Sequence, residues 1–300
     1  MISVCIPTYN HYTYPLVRSL STQIAKEGEG DYEIVCIDDH SSGYYVNQNK
    51  GIAGMASYIT LEKNIGRAAI RNLFLKHTKG EYLLFLDCDS KVPDQFIKKY
   101  AKTLNSNPSV VVGGRVYSEA DNDAEHRLRY LYGTKVESQP VEVRRVNPYR
   151  SFQTSNFMVR RDVLEQIRFD ESITKYGHED TLFGYRLQQL GIPILHIDNP
   201  VVNGDVEVNA EFLHKTVEAV ESLAELYDRM WEDQRFCESV RLLSTYSRVR
   251  RMGLQGVVYF VFKLFKDPME RHFVSGKGIN LKQFSFYKLG VLIKELHYKE

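Results

Sequence analysis

Residues 80–90 read GEYLLFLDCDS. Tyr82–Leu86 is an uninterrupted apolar run, with the length and character of a strand buried on both faces. It breaks off into Asp87-Cys88-Asp89, two carboxylates two residues apart. At the C-terminal end of a parallel strand, such residues lie where open α/β sheets hold their ligands. Paired carboxylates suit a hard divalent cation, Mg²⁺ or Mn²⁺. A second reading needs no ligand: Asp89 or Ser90 caps a helix that starts near Pro93.

The preceding residues favour the first reading. Residues 2–6 are an apolar strand that turns out through Pro7-Thr8-Tyr9-Asn10. Leu16, Val17, Leu20 and Ile24 recur at helical spacing and predict a helix over 12–26. Residues 33–37 are a second strand, ending in Asp38-Asp39, and 58–61 a third, followed by Asn64-Ile65-Gly66. A helix over 68–76 leads into the strand at 82. Residues 43–55, polar and glycine-containing, read as a loop. This alternation predicts a parallel sheet covered by helices, an α/β fold whose strand ends bring Tyr9, Asp38, Asp39, Asp87 and Asp89 to one edge. Neither G-x-G-x-x-G nor G-x-x-x-x-G-K-[ST] occurs, which argues against a dinucleotide-binding Rossmann domain and a P-loop nucleotidase. A metal at Asp87 and Asp89 would then do the work of a glycine-rich phosphate cradle.

IPTYN, EIVCIDDHSS, NIGRAAIRN and FLDCDS, in this order and spacing, resemble the family 2 glycosyltransferases of the GT-A fold, and later motifs extend the likeness to about residue 205. The resemblance implies a nucleotide-diphospho-sugar transferase with a mixed, mostly parallel sheet flanked by helices. Pro7 and Tyr9 match the segment lining the base. Asp39, with Asp38 beside it, matches the acid that binds uracil or ribose. Asn64 and Arg71 match the element near base and diphosphate. Asp87 matches a ribose or sugar contact, and Asp89 the metal ligand. Without a ligand, Asp38 and Asp39 read as Asx-turn residues and Arg71 as a surface arginine of its helix.

Downstream, 93–104 reads as a helix and 110–114 as a strand with a glycine end. Residues 119–150 read as an insertion over the active site. Its basic residues Arg127, Arg129, Lys135, Arg144, Arg145 and Arg150 are expected to be mostly solvated. Residues 152–159 read as a strand, which the resemblance implies lies beneath the sugar site, with Ser155 and Asn156 close to it. Tyr176-Gly177-His178-Glu179-Asp180 opens a helix, where two acids exceed what a cap requires. The resemblance makes Asp180, with Glu179, the catalytic base that takes the acceptor proton, and implies inversion at the anomeric carbon. His178 reads as structural. Asn203 stands where family members often carry a further histidine ligand, with Asp205 nearby, so the third metal ligand stays open.

The C-terminal end differs in character. A 4-and-3 period from Leu213 to Trp231 predicts a long amphipathic helix, and 236–247 a second. From Arg248 onward there are eleven Lys/Arg against four Asp/Glu, a net +7, while the first 247 residues carry −6. Residues 253–266 are apolar with basic flanks, too short to span a bilayer but suited to its surface. Lys282, Lys288 and Lys294 interleave with apolar residues in a last helix. Peripheral membrane contact is one expectation for this tail, and packing on the body or a sister subunit the other, so a homodimer stays open.

The expected division is a catalytic domain over 1–232, with a nucleotide-binding half to about 115 and an acceptor half over 116–232, and a basic helical extension over 233–300. Four cysteines without a C-x-x-C pair fit a reducing compartment. No signal peptide or spanning run is apparent. The expected place is the cytoplasm, with peripheral contact on the inner membrane face. The net charge of +1 offers nothing to nucleic acid. The expected reaction is sugar transfer from a nucleotide-diphosphate donor, a UDP-sugar first, to a hydroxyl of a saccharide or lipid-linked saccharide in cell-surface polysaccharide synthesis. The alternatives are a sugar nucleotidyltransferase, for which a phosphate-binding loop is lacking near the N-terminus, and a catalytically lapsed partner protein.

Overall fold

In the computed structural model, which describes residues 1–27 and 31–298, Tyr82–Leu86 forms a strand and all five of its residues are buried. The strands are β1 (Ile2–Thr8), β2 (Tyr32–Asp38), β3 (Ser57–Thr60), β4 (Tyr82–Leu86), β5 (Val110–Val112), β6 (Arg115–Val116), β7 (Asn156–Arg160), β8 (Ile194–His196) and β9 (Val201–Val202). Seven of them make one sheet in the order β3-β2-β1-β4-β7-β5-β8, and β6 and β9 pair separately. β7 is antiparallel to both β4 and β5; every other neighbouring pair is parallel. The sheet is therefore mixed and mostly parallel.

The continuous apolar run of β4 follows from cover on both faces. Tyr82, Leu84 and Leu86 pack with Leu16, Val17, Leu20 and Ile24 of the helix Tyr14–Glu27 and with Phe96, Ile97 and Tyr100 of the helix Phe96–Thr103. Leu83 and Phe85 point the other way, onto Ala68, Ile70 and Phe74 of the helix Arg67–His77 and onto Phe157, Leu164 and Phe183. Each such side chain contributes about 1.5–3 kcal/mol of apolar burial.

The chain divides into two compact units. The first comprises residues 1–116, 138–174 and 182–205 and holds the sheet; the second comprises 117–137, 175–181 and 206–300.

Four local expectations are corrected. Residues 43–55 are not a loop but a helix, Gly43–Gln48, and a 3-10 helix, Asn49–Gly54. Asn49 is buried, accepts a hydrogen bond from Thr13 N–H at 3.0 Å and donates to His11 O at 2.8 Å. The helix after β4 starts at Phe96, with Gln95 before it at φ 61°, so neither Asp89 nor Ser90 caps it. The single helix expected over 236–247 is two, Gln234–Ser239 and Arg241–Arg251.

The basic residues of 119–150 are the fourth. Arg129 and Arg144 are buried, not solvated. In the first unit, Arg144 donates to the carbonyl oxygens of Val112, Gly113, Ile197 and Gln139 and to His196 Nδ1, the last at 2.9 Å. His196 Nε2 meets Pro148 O at 2.9 Å, and burial first of all lowers its pKa to about 4, which leaves a neutral ring to accept from the guanidinium. In the second unit, Arg129 donates to Glu207 at 2.9 Å, to Glu137 at 3.1 Å and to the Tyr117 hydroxyl at 2.6 Å.

The second unit is helical, built on Asn209–Met230. The last helix, Leu281–His297, buries Phe284, Tyr287, Leu289, Val291, Leu292 and Ile293. Of the two expectations for the tail, packing is the outcome for this last helix. Among the described residues no helix is long and apolar enough to cross a membrane.

Candidate active site

The first unit gathers the strand-end residues as the topology requires. β1, β2 and β4 run parallel, with Thr8 opposite Asp38. Pro7 is the penultimate residue of β1, and Tyr9, just past its end, is 53% exposed, leaving a ring free to stack.

The two aspartates after β2 are both buried, and each is engaged inside the chain. Asp38 accepts from Ser41 N–H at 2.7 Å and from the Tyr58 hydroxyl at 2.6 Å. Asp39 accepts from the N–H groups of Ile65 at 2.7 Å and Gly66 at 3.0 Å, and its carbonyl accepts from the Asn64 side chain at 3.1 Å. Asp39 thus fixes the Asn64-Ile65-Gly66 turn, whose glycine sits at φ 84° and opens the helix Arg67–His77. Asn64 itself is exposed at this turn.

That helix delivers Arg71, which is 2% exposed and so is no surface arginine. It donates to Asp87 at 3.2 Å and to Arg67 O at 3.0 Å. Asp87 also has Arg115 at 3.5 Å, and its N–H donates to Ser155 O at 3.2 Å. Arg115 donates in turn to the Ser155 hydroxyl at 3.1 Å. Asn156 lies deeper, holding Gly114 O at 2.8 Å and Asn199 O at 2.9 Å. Arg115 was not singled out in the sequence. Its signal was there: it follows a glycine-ended strand parallel to β4, hence one ending at the same edge.

Asp89 is the least compensated acid of the group. Burial, and then the Asp87 carboxylate, push its carboxyl above the usual range, while Arg115 and His11 draw it back. Cys88 between them is pushed up to about 12, chiefly by burial. The loop is clamped from the far side: Lys91 and Val202 exchange two backbone hydrogen bonds of 2.9 Å, and a Cβ on Gly204 would overlap the Asp89 carbonyl oxygen. Gly204→Ala is expected to displace this loop and cost about 1–3 kcal/mol, read as a lower Tm; an unchanged Tm would mean that the clamp is loose.

Among the described residues no three His, Cys, Asp or Glu side chains stand together as a metal site. Asp205 instead meets His11 Nδ1 at 3.1 Å, and Asn203 donates to Asp205 O at 3.2 Å. A site with two carboxylates fits Mg²⁺ or Mn²⁺, which commonly take one or two protein carboxylates and complete their shell with substrate phosphates and water. The raised Asp89 carboxyl fits it too, since a half-buried acid beside another acid gains from a cation.

Gly177 at φ 92° and His178 at φ 70°, both residues of the second unit, turn the chain into the helix Glu179–Gln189, whose first turn carries Glu179 and Asp180. Glu179 is buried and Asp180 half-buried. Asp180 accepts from Thr181 N–H at 2.7 Å. His178 Nδ1 lies 3.1 Å from the Thr181 hydroxyl, and burial first of all lowers its pKa to about 4. That shift favours the neutral ring.

The sequence model of Glycosyl transferase family 2 matches residues 3–168, more than half of the chain. The chain belongs to this family. Its GT-A fold is shared with a mannosyltransferase of Pyrobaculum calidifontis solved with GDP-Man and Mn²⁺, at a TM-score of 0.57 and 16% identity over 100% of this chain and 88% of that one. In sequence, this family 2 glycosyltransferase is 35% identical over 114 residues to the poly(ribitol-phosphate) beta-N-acetylglucosaminyltransferase TarP of Staphylococcus aureus, matching 35% of this chain and 34% of TarP. It is 26% identical over 221 residues to the chondroitin synthase of Pasteurella multocida, over 62% of this chain and 23% of that protein. The chain thus spans about a third of the length of the one relative and a quarter of the other.

Proposed function

We propose that the chain is an inverting glycosyltransferase that moves a sugar from a nucleotide diphosphate, a UDP-sugar first, to a hydroxyl of a saccharide or lipid-linked saccharide in cell-surface polysaccharide synthesis. The observation that carries this reading is the Arg71–Asp87–Arg115 group beside the under-compensated Asp89. The names of TarP and chondroitin synthase support a polysaccharide or polyol-phosphate setting.

On this reading Tyr9 stacks on the base against Pro7, and the turn held by Asp39, with Asp38 behind it, presents Asn64 to the nucleotide. Arg71 and Arg115 hold Asp87 oriented towards ribose or sugar. Asp89 and Asp87 would hold the divalent cation, which supplies charge neutralisation for the departing diphosphate. Asp180 accepts the proton of the acceptor hydroxyl as that oxygen bonds to the anomeric carbon. The bond from this carbon to the phosphate oxygen breaks, and its electron pair leaves on the nucleoside diphosphate. A single displacement inverts the anomeric configuration. Glu179, the other acid of the pair, supports Asp180 from the same helix turn.

The test is a panel of UDP-, GDP- and dTDP-sugars with saccharide and polyol-phosphate acceptors and Mn²⁺, read by nucleoside diphosphate release and by NMR of the product anomer. Nucleoside diphosphate and a single inverted anomer are expected. Retention would refute the displacement, and formation of a nucleotide sugar from sugar phosphate and nucleoside triphosphate would make the chain a nucleotidyltransferase.

A further inference from the structure

The helix Gln255–Ser275 has two apolar faces. The inner one carries Phe262 and Phe273, both buried, whose rings stand 5.7 and 5.8 Å from Tyr287 of the last helix. A Cβ on Gly290 would overlap the Phe262 ring, so this contact is tight. The outer face carries Val257, Phe260, Val261, Leu264 and Phe265, spaced 3-1-3-1, which puts them in one stripe. They are 60%, 62%, 36%, 58% and 54% exposed, and Met252 and Leu254 just before the helix are exposed as well. Folded chains scatter exposed apolar residues singly; a contiguous stripe of two phenylalanines, a leucine and two valines marks a contact surface.

The charges around it say what the surface meets. Residues 248–277 hold seven Lys/Arg against only Asp267 and Glu270. Arg248, Arg250 and Arg251 close the helix Arg241–Arg251 just before the stripe, Lys263 lies exposed beside it, and Arg271 and Lys277 follow it. A second copy seated face to face would bring two basic rims together, because a two-fold interface sets each patch against itself. Anionic lipid headgroups complement the rim, and the acyl boundary takes the stripe.

We propose that the outer face of Gln255–Ser275 docks this chain, lying flat, on an anionic bilayer surface. The proposal does not depend on the transferase reading, and it replaces the wider expectation for the tail. The last helix belongs to the packed core, so the outward face of one helix carries the contact.

The test is flotation of the full chain with vesicles of phosphatidylcholine alone and of equal parts phosphatidylcholine and phosphatidylglycerol. Sedimentation velocity without vesicles runs in parallel. Wild type is expected to float with the anionic vesicles, to do so less in high salt, and to stay behind with the neutral ones. Phe260→Ser with Leu264→Ser should weaken binding about tenfold or more while the circular dichroism melt is unchanged, both residues being exposed. Lys263→Gln with Arg271→Gln should weaken it only on anionic vesicles. Absence of flotation, or flotation indifferent to the serine pair, overturns the proposal. So does a wild-type dimer that the serine pair turns to monomer, which would give the face to a second copy. No outcome involves the donor, so transferase activity is judged separately.

Discussion

Asp180→Asn is expected to lower kcat about 10²–10⁴-fold while leaving nucleotide-sugar affinity unchanged. The two carboxamide atoms match the carboxylate in shape, and the amide oxygen can still accept from Thr181 N–H, a bond of 2.7 Å in the native chain. The start of the helix Glu179–Gln189 therefore survives, at a cost of about 0.3–1 kcal/mol for the lost charge at its N-terminus. What disappears is the ability to take a proton. His178 beside it offers no rescue, because it is half-buried, held by Thr181 and poor at accepting a proton, with its pKa lowered to about 4. Steady-state turnover and calorimetric donor binding separate the two effects. Equal loss of both would make Asp180 a donor-binding residue and leave the reaction without its base.

Asp89→Asn is expected to act in opposite directions on the two forms of the protein. Without metal, burial and the Asp87 carboxylate both penalise ionised Asp89. Removing the charge should raise Tm, a small site-for-stability trade. With Mn²⁺ and a nucleoside diphosphate at a hundred times its Kd, the wild type should gain about 2.7 kcal/mol of stability by mass action, and the variant almost none. A differential scanning calorimetry series with and without EDTA reads both. A lower metal-free Tm together with an intact metal-dependent gain would assign Asp89 to holding its loop.

The parts of this chain legible in sequence were those whose partners are local or periodic. β1, β2 and β4 announce themselves as apolar runs because both sheet faces are covered. Their C-terminal ends had to share an edge once they were parallel, and so the placement of Tyr9, Asp39 and Asp87 followed. Residues 43–54 were misread because only Asn49 and Ile52 turn inward, too few to set a period. Buried arginines were the hardest to read. Arg144 is buried by carbonyl oxygens more than thirty and fifty residues away, and Arg71 by an aspartate sixteen residues on. Composition treats such side chains as solvated until their acceptors are known. In the last helix Lys288 likewise stands over the Tyr132 ring, 4.5 Å away, rather than out in water. The preference for a ligand site at Asp87-Cys88-Asp89 over a helix cap is strengthened by the next helix, which starts at Phe96, too late for either acid to be its cap.

The central claim is that the strand-end acids of the first unit bind a nucleoside diphosphate through a divalent cation. Isothermal titration of UDP into the wild-type chain, once with Mn²⁺ and once with EDTA, tests it most directly. The account predicts saturable binding with Mn²⁺ and a loss of about tenfold or more in EDTA. Equal affinity in both buffers, or no binding of UDP, GDP or dTDP with Mn²⁺, would contradict it.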